Sequence, residues 1–193
     1  MLQLPESEFI LKKLTDELAP HLHYHSVAHT IDVFKTAEYL AEKENIDVAD
    51  TKLLLIAALY HDSGYLHQSV GHESVSCKIA SDVLPTFGYN PDEVEKIKTI
   101  IKATQLPQNP GSKLEKIICD ADLDYLGRDD FFETGYKLYL EMLAEGRIAN
   151  EEDWNRLQVD FLRQHRYFTT TAQQLRNKKK DQNLTILLSK LLP

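Results

Sequence analysis

The sequence predicts an all-α fold, a helical bundle with a C-terminal helical cover in a single domain. Three observations carry that reading. Apolar residues recur at spacings of three and four along most of the 193-residue chain. No useful length alternates apolar and polar residues as a half-buried strand would. The seven glycines and seven prolines fall where turns belong, without a regular beat that would signal repeats. With 42% hydrophobic and 27% charged residues, the chain can bury a sizeable core. Its 30 carboxylates against 22 cationic side chains give a formal charge of -8. That balance disfavours long nucleic acids, whose binding leans on clustered Lys and Arg.

The elements follow in order. A first helix is expected over Ser7–Leu18, with Phe9, Leu11, Leu14 and Leu18 apolar and Pro20 stopping it. A second begins near Ser26 and carries Val27, Ile31 and Phe34. A third opens after Asp47, an N-cap residue, and runs through LLLIAALYHD to Asp62. Its stretch Leu53–Leu59 is apolar all round, which predicts a central helix buried on every side. Gly64 breaks the pattern. Further helices are expected at 72–87, ended by Gly88, and at 91–103, opened by Pro91 at the first helical position. The segment LPQNPGS at 106–112 is a loop. Helices then follow at 113–126, 129–145, 151–166 and 169–191. A core over about 22–127 and C-terminal helices over 128–193 share one domain, since no linker-like composition separates them.

The start shows no basic segment followed by an apolar stretch, so no signal peptide is expected. The apolar run Leu53–Tyr60 is far shorter than the ~20 residues of a membrane span. Cys77 and Cys119 lack CxxC spacing and read as buried thiols of a reducing compartment, so a cytoplasmic protein without membrane contact is expected. The run Lys178-Lys179-Lys180 reads as the solvated face of a late helix.

Chemistry concentrates at three points. His29 shares a helix face with Val33, Ala37 and Leu40 and should point inward. His61 and Asp62 end the buried third helix, where an imidazole beside a carboxylate is costly to desolvate unless a partner neutralises it. A divalent cation would do so, because both groups are ordinary ligands of Mn, Fe, Ni or Zn. The run IICDADLDYLG then places Asp120, Asp122 and Asp124 behind an apolar stretch, where solvent or a cation must offset their repulsion.

The segments YHSVAHTIDV, LLLIAALYHDSGY and IICDADLDYLG together resemble the signature of the HD superfamily of metal-dependent phosphohydrolases. The resemblance covers about two-thirds of the chain. It implies an all-helical HD-type fold, with one divalent transition metal held by His29, His61, Asp62 and Asp122. Asp122 is preferred over its two neighbours because the family's last ligand usually follows an alanine. The segment from Tyr24 to His29 also resembles the YHNxxH segment of cyclic-nucleotide phosphodiesterases. That analogy implies His25 as a general acid, whereas the residues alone equally allow a helix-capping role, Ser26 standing where those enzymes have Asn. His72 is a second candidate, as proton donor or as ligand of a further ion, although a single extra histidine does not establish a binuclear site. His67 reads as a solvent-exposed loop residue. Arg128 and Lys102 are the candidates for holding a phosphate.

The resemblance implies hydrolysis of a small phosphate mono- or diester, a nucleotide, by a metal-activated water, with Asp62 orienting the nucleophile and His25 or His72 protonating the leaving oxygen. Ser-Gly-Tyr-Leu follows the His-Asp pair where (p)ppGpp hydrolases have Glu-Asp, and the GYP signature of cyclic-di-GMP phosphodiesterases is absent. The di-iron centre of inositol oxygenase needs more histidines than this chain offers. The alternative is a non-catalytic HD module that binds a nucleotide or a partner, against which the intact ligand set argues.

Overall fold

The computed structural model describes residues 1–191, and among them every regular element is a helix. Helix α1 (Pro5–Glu17) starts two residues before the apolar periodicity does, because Pro5 occupies its first turn, where a missing N–H costs nothing. Helix α2 (Val27–Lys43) follows Ser26. Helix α3 (Val48–Tyr60) is opened by Asp47, whose carboxylate accepts from the Asp50 N–H at 2.9 Å. Every residue from Leu53 to Tyr60 is buried. Around α3 pack α1, α2, α4 (His72–Val83), α5 (Pro91–Lys102) and α6 (Lys113–Asp122). Each buried Leu or Ile there contributes about 1.5–3 kcal/mol, so this run anchors the core.

Three expected helices stop short and are followed by 3-10 turns. The third helix stops at Tyr60, with His61 as C-cap, and a 3-10 turn over Ser63–Leu66 follows. The expected helix 72–87 divides into α4 and a 3-10 turn over Leu84–Phe87, because Pro85 cannot continue an α-helix. The expected helix 113–126 likewise divides into α6 and a 3-10 turn over Asp124–Gly127. Asn90 and Glu93 form a reciprocal capping box at the start of α5.

The cover comprises α7 (Phe131–Ala144), α8 (Glu151–Gln164) and α9 (Thr170–Lys190). A second apolar cluster joins it to the core through Tyr24, Leu123, Tyr125, Leu126, Phe131 and Leu162. Two aspartates of the DADLD run act as latches between the layers. Fully buried Asp120 accepts from the backbone N–H groups of Phe168 (2.8 Å) and Thr169 (2.7 Å). Asp124 accepts from Arg176 Nε at 2.7 Å and Nη2 at 3.0 Å.

The lysine run is not wholly solvated, contrary to its charge pattern. Lys178 is exposed and Lys179 pairs with Asp129, but Lys180 is buried and donates to the His165 carbonyl at 2.5 Å. Both His165 ring nitrogens are buried without a hydrogen-bond partner. Burial, and then the Lys180 charge, push this imidazole down to about 3. The unfolded chain therefore takes up a proton near pH 6.5 that the folded chain refuses, so stability falls as pH drops from there towards 3. After discounting for partial solvent access, about 2 kcal/mol should be lost between roughly pH 6.5 and 4.5. Denaturant unfolding of the wild type and His165→Phe at both pH values checks this. Equal acid sensitivity of the two proteins would refute it.

Candidate metal centre

Four side chains converge where α2, α3 and α6 meet. His29 lies in the first turn of α2. His61 closes α3, and its Nδ1 donates to the Ala58 carbonyl at 2.8 Å, which leaves Nε2 facing inward. Asp62 follows directly, and Asp122 is the last residue of α6. Gly64 makes this crowding possible: a Cβ there would lie 2.0 Å from the His72 carbonyl oxygen, which is backbone and cannot give way. The close approach brings the first turn of α4 onto the His-Asp pair, where Gly64 N–H donates to Ser76 Oγ at 2.7 Å.

Asp62 Oδ2 lies 3.3 Å from His29 Nε2 and 3.1 Å from His61 Nε2. Asp122 Oδ1 lies 3.2 Å and 3.5 Å from the same two nitrogens. His29 Nε2, His61 Nε2 and Asp62 Oδ2 are buried without a hydrogen-bond partner. Leaving such atoms orphaned is costly, and a cation satisfies all of them at once. Donors bound ~2.1 Å from one ion sit about 3.0 Å apart in an octahedron and about 3.4 Å apart in a tetrahedron, which matches the spacing here. The residues fit a divalent metal. Asp120 and Asp124, engaged as latches, stay outside the cluster.

The electrostatics agree. Burial lowers His29, but Asp122 and Asp62 outweigh it and carry the imidazole up to about 9. His61 is raised well above its ordinary value by the same balance. Burial opposes ionisation of Asp122, yet the two histidines hold it down at about 2, and Asp62 is also well below the carboxylate range. Without metal the cluster therefore carries protonated histidine at neutral pH, and this pairing favours the fold below about pH 6.5 and is lost as pH rises through about 9. A metal needs neutral imidazole, so uptake must release protons. The apparent affinity is expected to tighten about 10-fold per pH unit between roughly pH 6 and 8 for each proton displaced. Isothermal titration in buffers of different ionisation enthalpy checks this, and heats independent of buffer would refute it.

Around the cluster stands an aromatic shell. Tyr65 packs against both His25 (centroids 3.9 Å apart) and His72 (4.2 Å), and its hydroxyl lies 2.9 Å from His25 Nε2. His72 donates from Nδ1 to the Ser69 carbonyl at 3.0 Å, and its Nε2 approaches Asp62 Oδ1 at 3.2 Å. Asp62 thus turns one oxygen to the cluster and the other to His72. Burial lowers His72, but Asp62 and Glu73 more than offset it, so its net shift is upward. His25 does not cap α2, whose N-cap is Ser26 and which has no side-chain cap bond. Its Nδ1 lies 2.6 Å from Glu141 Oε2, while Glu141 Oε1 accepts from the N–H groups of Tyr24 (2.5 Å) and His25 (2.8 Å). Glu141 belongs to α7, so the cover sets the orientation of a histidine in the core.

The site opens into a cavity of about 500 Å³ between core and cover, lined by Asp62, Asp122, His25 and His72 at one end and by Phe131, Trp154 and Phe161 elsewhere. Two expected phosphate contacts are not on it. Arg128 is tied to Asp32 (Nη1–Oδ2 2.7 Å) and forked onto Asp130 (2.9 and 2.8 Å), its own near neighbour. Lys102 is exposed and donates to Ser74 Oγ at 2.9 Å. Arg147, which the sequence reading passed over, lines the cavity instead. His67 is exposed, as expected of a loop residue.

A family model for the HD domain matches residues 26–124, a span that contains all four clustered residues. The chain belongs to the HD-domain family. Two solved structures share the HD fold over nearly the whole chain. One is a predicted HD superfamily hydrolase from an uncultured Thermotogales bacterium, 23% identical, covering 99% of this chain and 94% of that one with a TM-score of 0.64. The other is YpgQ of Bacillus subtilis, in complex with ADP, 21% identical, covering 100% and 98% with a TM-score of 0.68. No curated protein matches. HD domains typically bind divalent metals, and the His/Asp cluster could hold one. No helix among the described residues is long and apolar enough to cross a membrane.

Proposed function

We propose that this HD protein is a metal-dependent phosphohydrolase acting on a small phosphate ester, with a nucleotide as the substrate class. The observation that carries it is the set of orphaned donor atoms on His29, His61 and Asp62, gathered beside Asp122 at the end of a ligand-sized cavity. When bound, the divalent ion supplies Lewis acidity and acidifies a water. Asp62 orients the nucleophile, with His72 restraining its second oxygen. His25 serves as the proton donor with Glu141 on Nδ1, and the Tyr65 hydroxyl, 2.9 Å from Nε2, passes its proton to the leaving oxygen or gives way to it. Arg147, at the edge of the cavity, meets anionic charge on the substrate. The ADP bound by the Bacillus subtilis protein of like fold supports a nucleotide.

The test is elemental analysis of protein purified without chelator or affinity nickel, followed by phosphatase and phosphodiesterase assays with Mn²⁺, Fe²⁺, Ni²⁺ or Zn²⁺ supplied. About one equivalent of metal per chain and metal-dependent release of phosphate or alcohol are expected. Metal and nucleotide binding without turnover would overturn the enzyme reading in favour of a binding module.

A further inference from the structure

Helix α7 ends beside the cavity in a turn whose backbone is fixed. Glu145 is its C-cap, and Gly146 follows with φ at +68°. The Gly146 N–H donates to the Leu143 carbonyl at 3.1 Å, and the Arg147 N–H to the Met142 carbonyl at 2.8 Å. This pairing closes the helix end, so any rearrangement there falls to the side chains.

A carboxylate is badly placed at this point. The negative end of the helix dipole disfavours it, and so does Glu141, one turn back on the same face. Glu141 is compensated by His25 and two backbone N–H groups. Glu145 has partners of another kind. One of its oxygens accepts from the Ser69 hydroxyl on the core side, and the other stands 3.4 Å from Arg147 Nη1. Ser69 and Arg147 both line the cavity. Arg128 and Arg176 each fork onto a carboxylate with two bonds, at 2.9 and 2.8 Å and at 2.7 and 3.0 Å. Arg147 has one long bond instead, and its side chain keeps 50% of its exposure against 17% for Glu145. Its charge also reaches the site. Burial, above all, holds the Tyr65 phenol well above its ordinary range, and Arg147 pulls the other way.

We propose that Glu145 is a positioning residue, a built-in counter-ion that Arg147 exchanges for the phosphate of a ligand. Ser69 keeps the exchange easy, because the oxygen it holds cannot complete a fork onto the guanidinium. The ligand class is a phosphate-bearing anion. This rests on the reading of Arg147 as the contact for anionic charge on the substrate. When product leaves, Glu145 takes the guanidinium back.

The test measures Kd for AMP and for inorganic phosphate on metal-loaded protein. The signal is the fluorescence of Trp154, the single tryptophan, which lines the same cavity, with calorimetry as a second measure. KM and kcat on AMP run alongside. Glu145→Gln keeps an acceptor for Ser69 but removes the competing charge, so Kd and KM should fall about 3- to 5-fold. Ser69→Ala frees the carboxylate to fork onto Arg147, so both should rise about 2- to 5-fold. In either variant kcat should move less than about twofold, since the change is in binding alone. With Arg147→Ala added, both shifts should shrink below about 1.5-fold. Opposite signs that vanish without Arg147 bear the exchange out. A plain clasp between core and cover predicts shifts of one sign or none, and that result overturns the proposal while leaving the phosphohydrolase reading standing. If the wild type turns over no ester, that reading fails, and the signs of the two Kd shifts still decide the exchange. No response to either probe by fluorescence or calorimetry overturns it as well.

Discussion

Asp122→Asn should purify with less than about a tenth of the wild-type metal and lose more than about 100-fold in kcat/KM, since even outer-shell changes at metal sites cost 10- to 100-fold. Asp124→Asn, two residues along, should do the reverse. It keeps the metal, because Asp124 faces Arg176 and not the cluster, but the fold loses about 2–3 kcal/mol as the Arg176 guanidinium loses its charged partner. The figure is set below the range for fully buried pairs because Arg176 retains 28% of its side-chain exposure. Elemental analysis beside denaturant unfolding separates the two effects. Equal metal loss in both variants would mean that the DADLD run acts as one acidic patch, and the assignment of Asp122 as ligand would fail.

That contrast also shows what local sequence can and cannot convey. The buried character of α3 was legible because seven consecutive side chains, Leu53–Leu59, had no polar face to offer, and a His-Asp pair ending such a helix stands out. The helix boundaries were less legible. Pro85 and the turn at Asp124 tighten the backbone into 3-10 geometry, which apolar periodicity does not distinguish from an α-helix. Among three acids at alternate positions only the family resemblance favoured Asp122, and the roles of the other two lay in partners far along the chain: Phe168 and Thr169 for Asp120, Arg176 for Asp124. Arg128 lies off the cavity for a partly local reason, since Asp130 two residues later forks onto it. A warning was present in the three aspartates at 124, 129 and 130. Arg147 carried no local signal, because it resembles an ordinary surface residue until the cover folds over the cavity. Glu141 had a faint one, an acid inside the otherwise apolar LYLEMLA.

Glu141 is where the cover acts on the chemistry, and Glu141→Gln isolates that action. The glutamine carbonyl can still accept from the Tyr24 and His25 backbone N–H groups, so the fold and the metal content should be unchanged. Its amide nitrogen would face His25 Nδ1 as a donor where the carboxylate is an acceptor. The imidazole must then accept at Nδ1 and carry its proton on Nε2, and it loses the carboxylate that holds its ring in place. A proton donor weakened in this way should lower kcat about 10- to 100-fold on alkyl phosphates, whose leaving oxygen needs a proton. On p-nitrophenyl phosphate, whose phenolate leaves unaided, the loss should be under about threefold. KM should move little on either, since Glu141 does not touch the substrate. A merely structural Glu141 predicts equal losses on both leaving groups, or a fall in stability, and either result would remove His25 as the proton donor. Glu141→Ala offers the complement: it leaves two buried backbone N–H groups without an acceptor and should cost about 2–4 kcal/mol of stability. A protein that tolerates glutamine in its fold but not in its leaving-group dependence would place a proton-transfer function in the contact between the C-terminal cover and the metal-binding core.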